Sequence, residues 1–346
     1  MPRLLSLATA LPPNVITQAE ARATCEKIHA ANPGLLRLLR VFDRCGVETR
    51  HFAFPPDYYR SKRTFEERNA DYAEVGTSLS ERAARECLGR AGVAPDRVDH
   101  VFFVTTTGLS TPSLDALLAP RLGLRRQVRR WPMFGLGCAG GAGALIRAGE
   151  VLAPGQRALV VSLELCGQIF STRAANPVDL VGAALFGDGA AAALLEAGEM
   201  GPGPKLLATQ TELFDESRHL MGWNFTSDGM RLVLSREVSD LVARRLRPVV
   251  EAFLTKEGLS VRDVTHWLLH PGGRRIIDAY REAFALGDRE LEWTRGSLAR
   301  VGNLSSASVL FALDDLVQSG RPRAGDRGLM VALGPGFGAE MVVLGW

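Results

Sequence analysis

The sequence predicts an α/β fold of layered sheets and helices, made of two copies of one unit. Self-similarity at an offset near 165 residues is the first sign: Arg97-Val98-Asp99-His100-Val101-Phe102-Phe103-Val104 reads against Asp263-Val264-Thr265-His266-Trp267-Leu268-Leu269-His270, each a polar turn followed by an apolar run of strand length. Alternation is the second, because each run is followed by a Gly-containing turn opening a small-residue helix, and then by another apolar run. Length is the third, since 346 residues accommodate two units of ordinary size.

In chain order, Arg3 followed by Leu4 to Leu11 could mimic a signal peptide, but the run is minimal and meets Pro12-Pro13-Asn14 without an A-x-A site, so a first strand is expected. Arg37, Arg40 and Arg44 fall at i, i+3 and i+7, on one helix face. After the strand ending at Val104, Gly137-Cys138-Ala139-Gly140-Gly141-Ala142 starts a helix, and Arg157 to Leu163 reads as a fully buried strand. The second copy repeats the series with the strand ending at His270, the turn Gly302-Asn303-Leu304-Ser305-Ser306-Ala307 and the strand Arg327 to Leu333. Gly-rich hairpin turns and final strands, Ala190 to Leu195 and Met341 to Leu344, are expected to close the halves, placed at 1–205 and 206–346. Such halves should pack about a pseudo-twofold axis, bringing Cys138 and Asn303 to one central region.

Composition narrows the function classes. With 46% hydrophobic and 23% charged residues the chain is neither disordered nor fibrous. A net charge of +3 from scattered basic residues gives no general nucleic-acid surface. The longest uncharged run, Trp131 to Ile146, is 16 residues and glycine-rich, short of the roughly 18 to 20 a membrane span needs. Five cysteines without a CxxC pair argue against a disulfide framework and a zinc site, and fit a reducing cytoplasm.

Cys138 meets the start of a helix, where the backbone dipole favours a thiolate, so a nucleophile with a lowered pKa is expected. The glycines around it clear space without helping a helix. Cys25, Cys45, Cys87 and Cys166 read instead as small buried hydrophobes. His270 precedes Pro271-Gly272-Gly273, which ends its strand and leaves the imidazole free, whereas His266 earlier on the same strand reads as a satisfied structural residue. Asn303 is either a third member of the site or a helix N-cap.

The segments Gly46-Val47-Glu48-Thr49-Arg50, Thr111-Pro112-Ser113-Leu114-Asp115, Phe134-Gly135-Leu136-Gly137-Cys138-Ala139-Gly140-Gly141, Leu185-Phe186-Gly187-Asp188-Gly189-Ala190, His270-Pro271-Gly272-Gly273, Gly302-Asn303-Leu304-Ser305-Ser306 and Gly334-Pro335-Gly336-Phe337-Gly338 resemble type III polyketide synthases. This is the chalcone-synthase-like branch of the thiolase superfamily, and the resemblance spans essentially the whole chain. It implies a thiolase-like αβαβα fold, a homodimer, and a transferase that needs no cofactor. Its substrates would be an acyl-CoA starter loaded on Cys138 and malonyl-CoA, whose thioester carbonyl His270 and Asn303 hold during decarboxylation. It further implies a gate at Phe186, CoA phosphates met by Arg37, Arg40 and Arg44, and a cyclisation network of Thr106, Glu164 and Ser305.

Departures from plant chalcone synthases bear on the product. Leu232 stands for a second gating Phe, Trp223 for a cavity glycine, Thr111 for a Met on a loop reaching across the dimer, and Leu333 for a Phe; Ile169 is grouped with these cavity positions. They put aromatic-starter selectivity in doubt and resemble bacterial enzymes that release alkylpyrones or alkylresorcinols from fatty acyl starters. The rivals are a ketoacyl-ACP synthase III, or another thiolase-fold condensing enzyme, and a non-catalytic scaffold of that fold. The motifs after His270 and at Gly334-Pro335-Gly336 argue against the first, and retention of Cys138, His270 and Asn303 argues against the second.

Overall fold

The computed structural model describes residues 1–61, 63–168, 176–198, 201, 203–227 and 229–346. Thirteen strands follow in chain order: β1 (Pro2–Ala10), β2 (Asn14–Thr17), β3 (Thr49–Phe52), β4 (His100–Val104), β5 (Arg129–Met133), β6 (Arg157–Leu165), β7 (Asp188–Ala197), β8 (Lys205–Leu213), β9 (Met221–Thr226), β10 (Gly229–Leu234), β11 (His266–Leu269), β12 (Arg327–Gly334) and β13 (Gly338–Gly345). Nine form one sheet in the order β11-β12-β13-β8-β1-β7-β6-β4-β5.

The duplication is visible in this order. From the centre outward, β1-β7-β6-β4 mirrors β8-β13-β12-β11, with the outermost pair of each series parallel and the others antiparallel. The matched histidines, His100 and His266, open β4 and β11. The two series meet in register at one residue pair, Arg3 with Lys205.

Alternation along each strand builds the layers, because successive side chains leave opposite faces of the sheet. On β6, Ala158 and Val160 join a central core while Leu159, Val161 and Leu163 join an outer one. On β12, Met330 and Ala332 enter that same central core, and Leu329, Val331 and Leu333 enter a second outer core. The central core is filled by the helices Gly140–Val151 and Ser308–Gln318, and the Phe65–Ala91 helix covers the outer face of the first series. Helices Arg247–Lys256 and Arg274–Phe284 cover the second. The layers are helix, one series of the sheet, central helices, the other series, helix, the order the resemblance implied.

Close approach explains the small residues at the centre. A Cβ on Gly141 would stand 2.2 Å from the Ser306 carbonyl oxygen, so only glycine lets the two helix starts meet. One expectation is corrected. β12 and β13 do form a hairpin, but β6 and β7 pair antiparallel with the Pro177–Leu185 helix between them. Gly187 and Gly189 are not turn residues there; a Cβ on them would meet the Val301 carbonyl oxygen at 2.7 Å and Leu304 Cδ1 at 2.9 Å.

Candidate active site

Cys138 lies in the helical turn Gly137–Ala139, just before the Gly140–Val151 helix. Gly137 has φ +49°, and a Cβ on it would collide with Pro335 of the β12–β13 turn, so that turn packs straight onto the Cys138 segment. Cys138 is buried, with Sγ 3.6 Å from Ser305 Oγ. Burial pushes its thiol up to about 12, although the Ser305 hydroxyl and the Asn303 side chain favour the thiolate. The expectation of a lowered pKa is therefore corrected. At a fully enclosed position, loss of hydration outweighs the partial charge of a helix start.

The second half of the site starts at Asn303. Its backbone N–H donates to Leu185 O at 2.8 Å and its carbonyl accepts from Gly187 N at 3.0 Å, which clamps it beside Phe186. Its Oδ1 accepts from Ser305 N at 2.8 Å and Ser308 Oγ at 3.2 Å. Asn303 is not the helix N-cap, which falls at Leu304; its amide oxygen instead accepts from the N–H two residues on, which fixes the amide orientation and directs Nδ2 elsewhere. Ser305 sits at φ +49°, a conformation uncommon for serine, held by this contact.

His270 follows β11, and its N–H donates to Val331 O at 2.9 Å. It is 2% exposed, and neither ring nitrogen has a partner among the described residues. Burial alone lowers its pKa to about 3, so the imidazole is neutral, with one N–H to donate. His266 is held by Asp326 at 2.9 Å, the structural role expected of it.

Cys138, His270 and Asn303 line one cavity of about 440 Å³, together with Phe186, Leu232, Trp223, Thr106 and Ser305. Trp223 and Leu232 face each other across the β9–β10 pair. Trp223 also borders a neighbouring chamber of about 510 Å³, which shares Thr106, Gly137 and Pro335 with the first. Thr106, Glu164 and Ser305 touch in series: Thr106 Oγ1 lies 3.5 Å from Ser305 Oγ and donates to Glu164 Oε1 at 3.0 Å. Sequence reasoning missed Ser306, whose hydroxyl also donates to Glu164. Thr111 is exposed and does not border the cavity in the single chain, and Ile169 lies outside the described residues.

Arg37, Arg40 and Arg44 all line the cavity, on consecutive short helical turns rather than one regular helix. Three further arginines, Arg236, Arg274 and Arg275, line it from other segments, and among the described residues no Asp or Glu does. The pair Arg274-Arg275 directly after His270-Pro271-Gly272-Gly273 was the available signal; Arg236 had none.

The depressed pKa of His270 has a measurable consequence. Between about 3 and its ordinary value of 6.5 the unfolded chain holds the extra proton, so acidification through that window removes stability at about 1.4 kcal/mol per pH unit. Asp188, buried and pushed up to about 7 from 3.8, acts with the opposite sign. We predict that His270→Gln loses about 2 kcal/mol less than the parent between pH 7 and pH 5 in urea denaturation; equal losses would place His270 in contact with water.

Residues 2–199 match the family described as chalcone and stilbene synthases, N-terminal domain, and residues 205–345 match the C-terminal domain of the same family. A 1,3,6,8-tetrahydroxynaphthalene synthase of Streptomyces peucetius subsp. caesius is 40% identical, over 98% of this chain and 91% of its own length. A phloroglucinol synthase of Pseudomonas fluorescens is 30% identical, over 97% of this chain and 96% of its own. The solved 1,3,6,8-tetrahydroxynaphthalene synthase from Streptomyces coelicolor A3(2), a bacterial type III polyketide synthase, superimposes with a TM-score of 0.96 at 29% identity, covering 99% of each chain.

Proposed function

Since the chain belongs to the chalcone and stilbene synthase family and is a type III polyketide synthase, we propose that Cys138, His270 and Asn303 carry its decarboxylative condensation. The observation that supports this best is the pair of unpartnered nitrogens on buried His270, which borders the same cavity as the Cys138 thiol. The Cys138 sulfur attacks the acyl-CoA thioester carbonyl, the bond to the CoA sulfur breaks, and the thiol proton ends on that sulfur, so that CoA departs as the thiol. Malonyl-CoA then places its thioester oxygen between the His270 N–H and Asn303 Nδ2. Carbon dioxide leaves, the bonding electrons stay on the α-carbon, and the two fixed donors stabilise the resulting enolate oxygen. That carbon attacks the Cys138-bound acyl group and expels the thiolate, lengthening the chain by two carbons.

Phe186 gates the passage between the CoA entrance and the cavity, and Thr106, Glu164 and Ser305 form the cyclisation network. A pyrone or resorcinol-type product is the reading that the apolar Trp223–Leu232 wall supports. Incubation with a panel of acyl-CoA starters and malonyl-CoA, with products identified by mass, tests it; a product set lacking any ring-closed polyketide would overturn it.

Six arginines lining a cavity that no Asp or Glu lines among the described residues suit the phosphates of CoA: Arg37, Arg40, Arg44, Arg236, Arg274 and Arg275. We predict that charge reversal at Arg37, Arg40 and Arg44 together raises the KM for malonyl-CoA by about 10²-fold and leaves kcat within about threefold. An unchanged KM would return these side chains to an ordinary solvated face.

The halves 1–205 and 206–346 are proposed as the two thiolase-like units. A homodimer is the proposed assembly, supported by β5, an edge strand of the sheet with exposed Trp131 and by exposed Phe134 beside it. No helix among the described residues is long and apolar enough to cross a membrane. A reducing cytoplasm suits the five free thiols.

A further inference from the structure

We infer that Arg50 is a positioning residue that holds the Phe186 gate and the Asn303 donor in a single register. Arg50 stands on β3 and is fully buried. Its Nη1 donates to the carbonyl oxygens of Ala183 and, at 3.2 Å, of Phe186, and its Nη2 donates to Gln18 Oε1 at 2.9 Å. Those carbonyls belong to the C-terminal end of the Pro177–Leu185 helix, where backbone acceptors lack intrahelical partners and a cation is favoured.

The same helix end is what holds Asn303. Leu185 O accepts the Asn303 N–H, and Asn303 O accepts the Gly187 N–H, so Phe186 is bracketed by two bonds to Asn303 and by one from Arg50. The Arg50 stem also lies against the residue preceding Asn303. A Cβ on Gly302 would stand 2.9 Å from Arg50 Cγ and 2.7 Å from Leu185 O. Gln18 completes the clamp from outside, its Nε2 donating to Ala184 O at 2.9 Å and Phe42 O at 3.2 Å.

Filling this space does not require a charge. Among the described residues Arg50 makes no direct ion pair, the nearby Asp188 carboxylate favouring its charge only through space, and a buried guanidinium resting on carbonyls is a costly way to pack a core. What a guanidinium supplies and an apolar side chain does not is a rigid planar fork that fixes several carbonyls at once. Here the fork sets the main chain of two residues that border the reaction cavity from opposite sequence halves.

The inference rests on the roles proposed above for Phe186 and Asn303, so the experiment includes a variant of each kind. Arg50→Lys keeps the charge and loses the fork; Gln18→Ala removes the partly buried outer partner together with its own bonds to Ala184 O and Phe42 O. For the purified enzyme, melting temperature, kcat and KM for malonyl-CoA, and the ratio of acetyl-CoA to polyketide formed are measured. Arg50→Lys is expected to lower kcat about 10- to 10²-fold, as small misplacements of reacting groups do, with KM within about twofold and more malonyl-CoA ending as acetyl-CoA. Gln18→Ala is expected to shift the same ratio in the same direction by a smaller factor. Wild-type kcat and product ratio in folded Arg50→Lys, or activity that falls only with the folded fraction while Gln18→Ala changes nothing, would overturn the inference. Asn303→Ala is run beside them: if it decarboxylates normally, the reading of the site itself fails, whereas its loss alongside normal Arg50→Lys sinks the positioning role alone.

Discussion

Replacing Cys138 with alanine is expected to abolish polyketide formation, by at least about 10³-fold, while malonyl-CoA decarboxylation continues. The two activities separate because, in the proposed mechanism, the sulfur and the donors do different work. Without Sγ there is no acyl-enzyme for the enolate to attack, but the unpartnered nitrogens of His270 and the amide of Asn303 still border an intact cavity. Truncation of one buried sulfur costs about 1 kcal/mol, too little to unfold the chain. Acetyl-CoA released from malonyl-CoA, against ring-closed products by mass, makes the measurement. Polyketide output at the parental rate would remove Cys138 from the mechanism.

The second large effect is expected at Asn303. Losing one preorganised donor to a developing oxyanion costs about 10²- to 10³-fold, or roughly 3 to 4 kcal/mol of barrier. Alanine alone would not isolate this, because Asn303 Oδ1 also accepts from Ser305 N and Ser308 Oγ. Asn303→Asp is the sharper variant: it keeps an acceptor for both contacts and replaces the donating nitrogen by oxygen. Decarboxylation by Asn303→Asp should fall about as far as by Asn303→Ala. If the aspartate variant decarboxylates like the parent, Asn303 serves only the turn.

Much of this was legible in the sequence because its causes are local. A buried strand needs an apolar run, and a close contact between helix starts needs glycine, so β4, β6, β11 and β12 and the turns at Cys138 and Asn303 could be located from the pattern alone. Duplication then said that these turns converge. What stayed hidden depends on distant segments meeting. The thiol of Cys138 was expected to be acidic from its helix start, but its burial comes from the other half of the chain, through Ser305 and Pro335. Arg236 joins the cavity from the segment after β10, far in sequence from Arg37, Arg40 and Arg44, and no periodicity connects them. A hairpin is expected before Ala190 to Leu195, and the helix found there escapes the pattern because glycines signal a turn when the atoms that Gly187 and Gly189 make room for are unseen.

The junction between β1 and β8, a single residue pair, bears on how the enzyme comes into being. Backbone pairing contributes little there, so the halves are united chiefly by the central helices and by the contacts of Cys138, Asn303 and Phe186 across them. Assembly and competence are consequently one event. On the roles proposed above, the first half carries the thiol without the donors that generate the enolate, and the second half the donors without the thiol. On those roles a partly formed molecule makes no polyketide, because chain extension waits for the two repeats to meet.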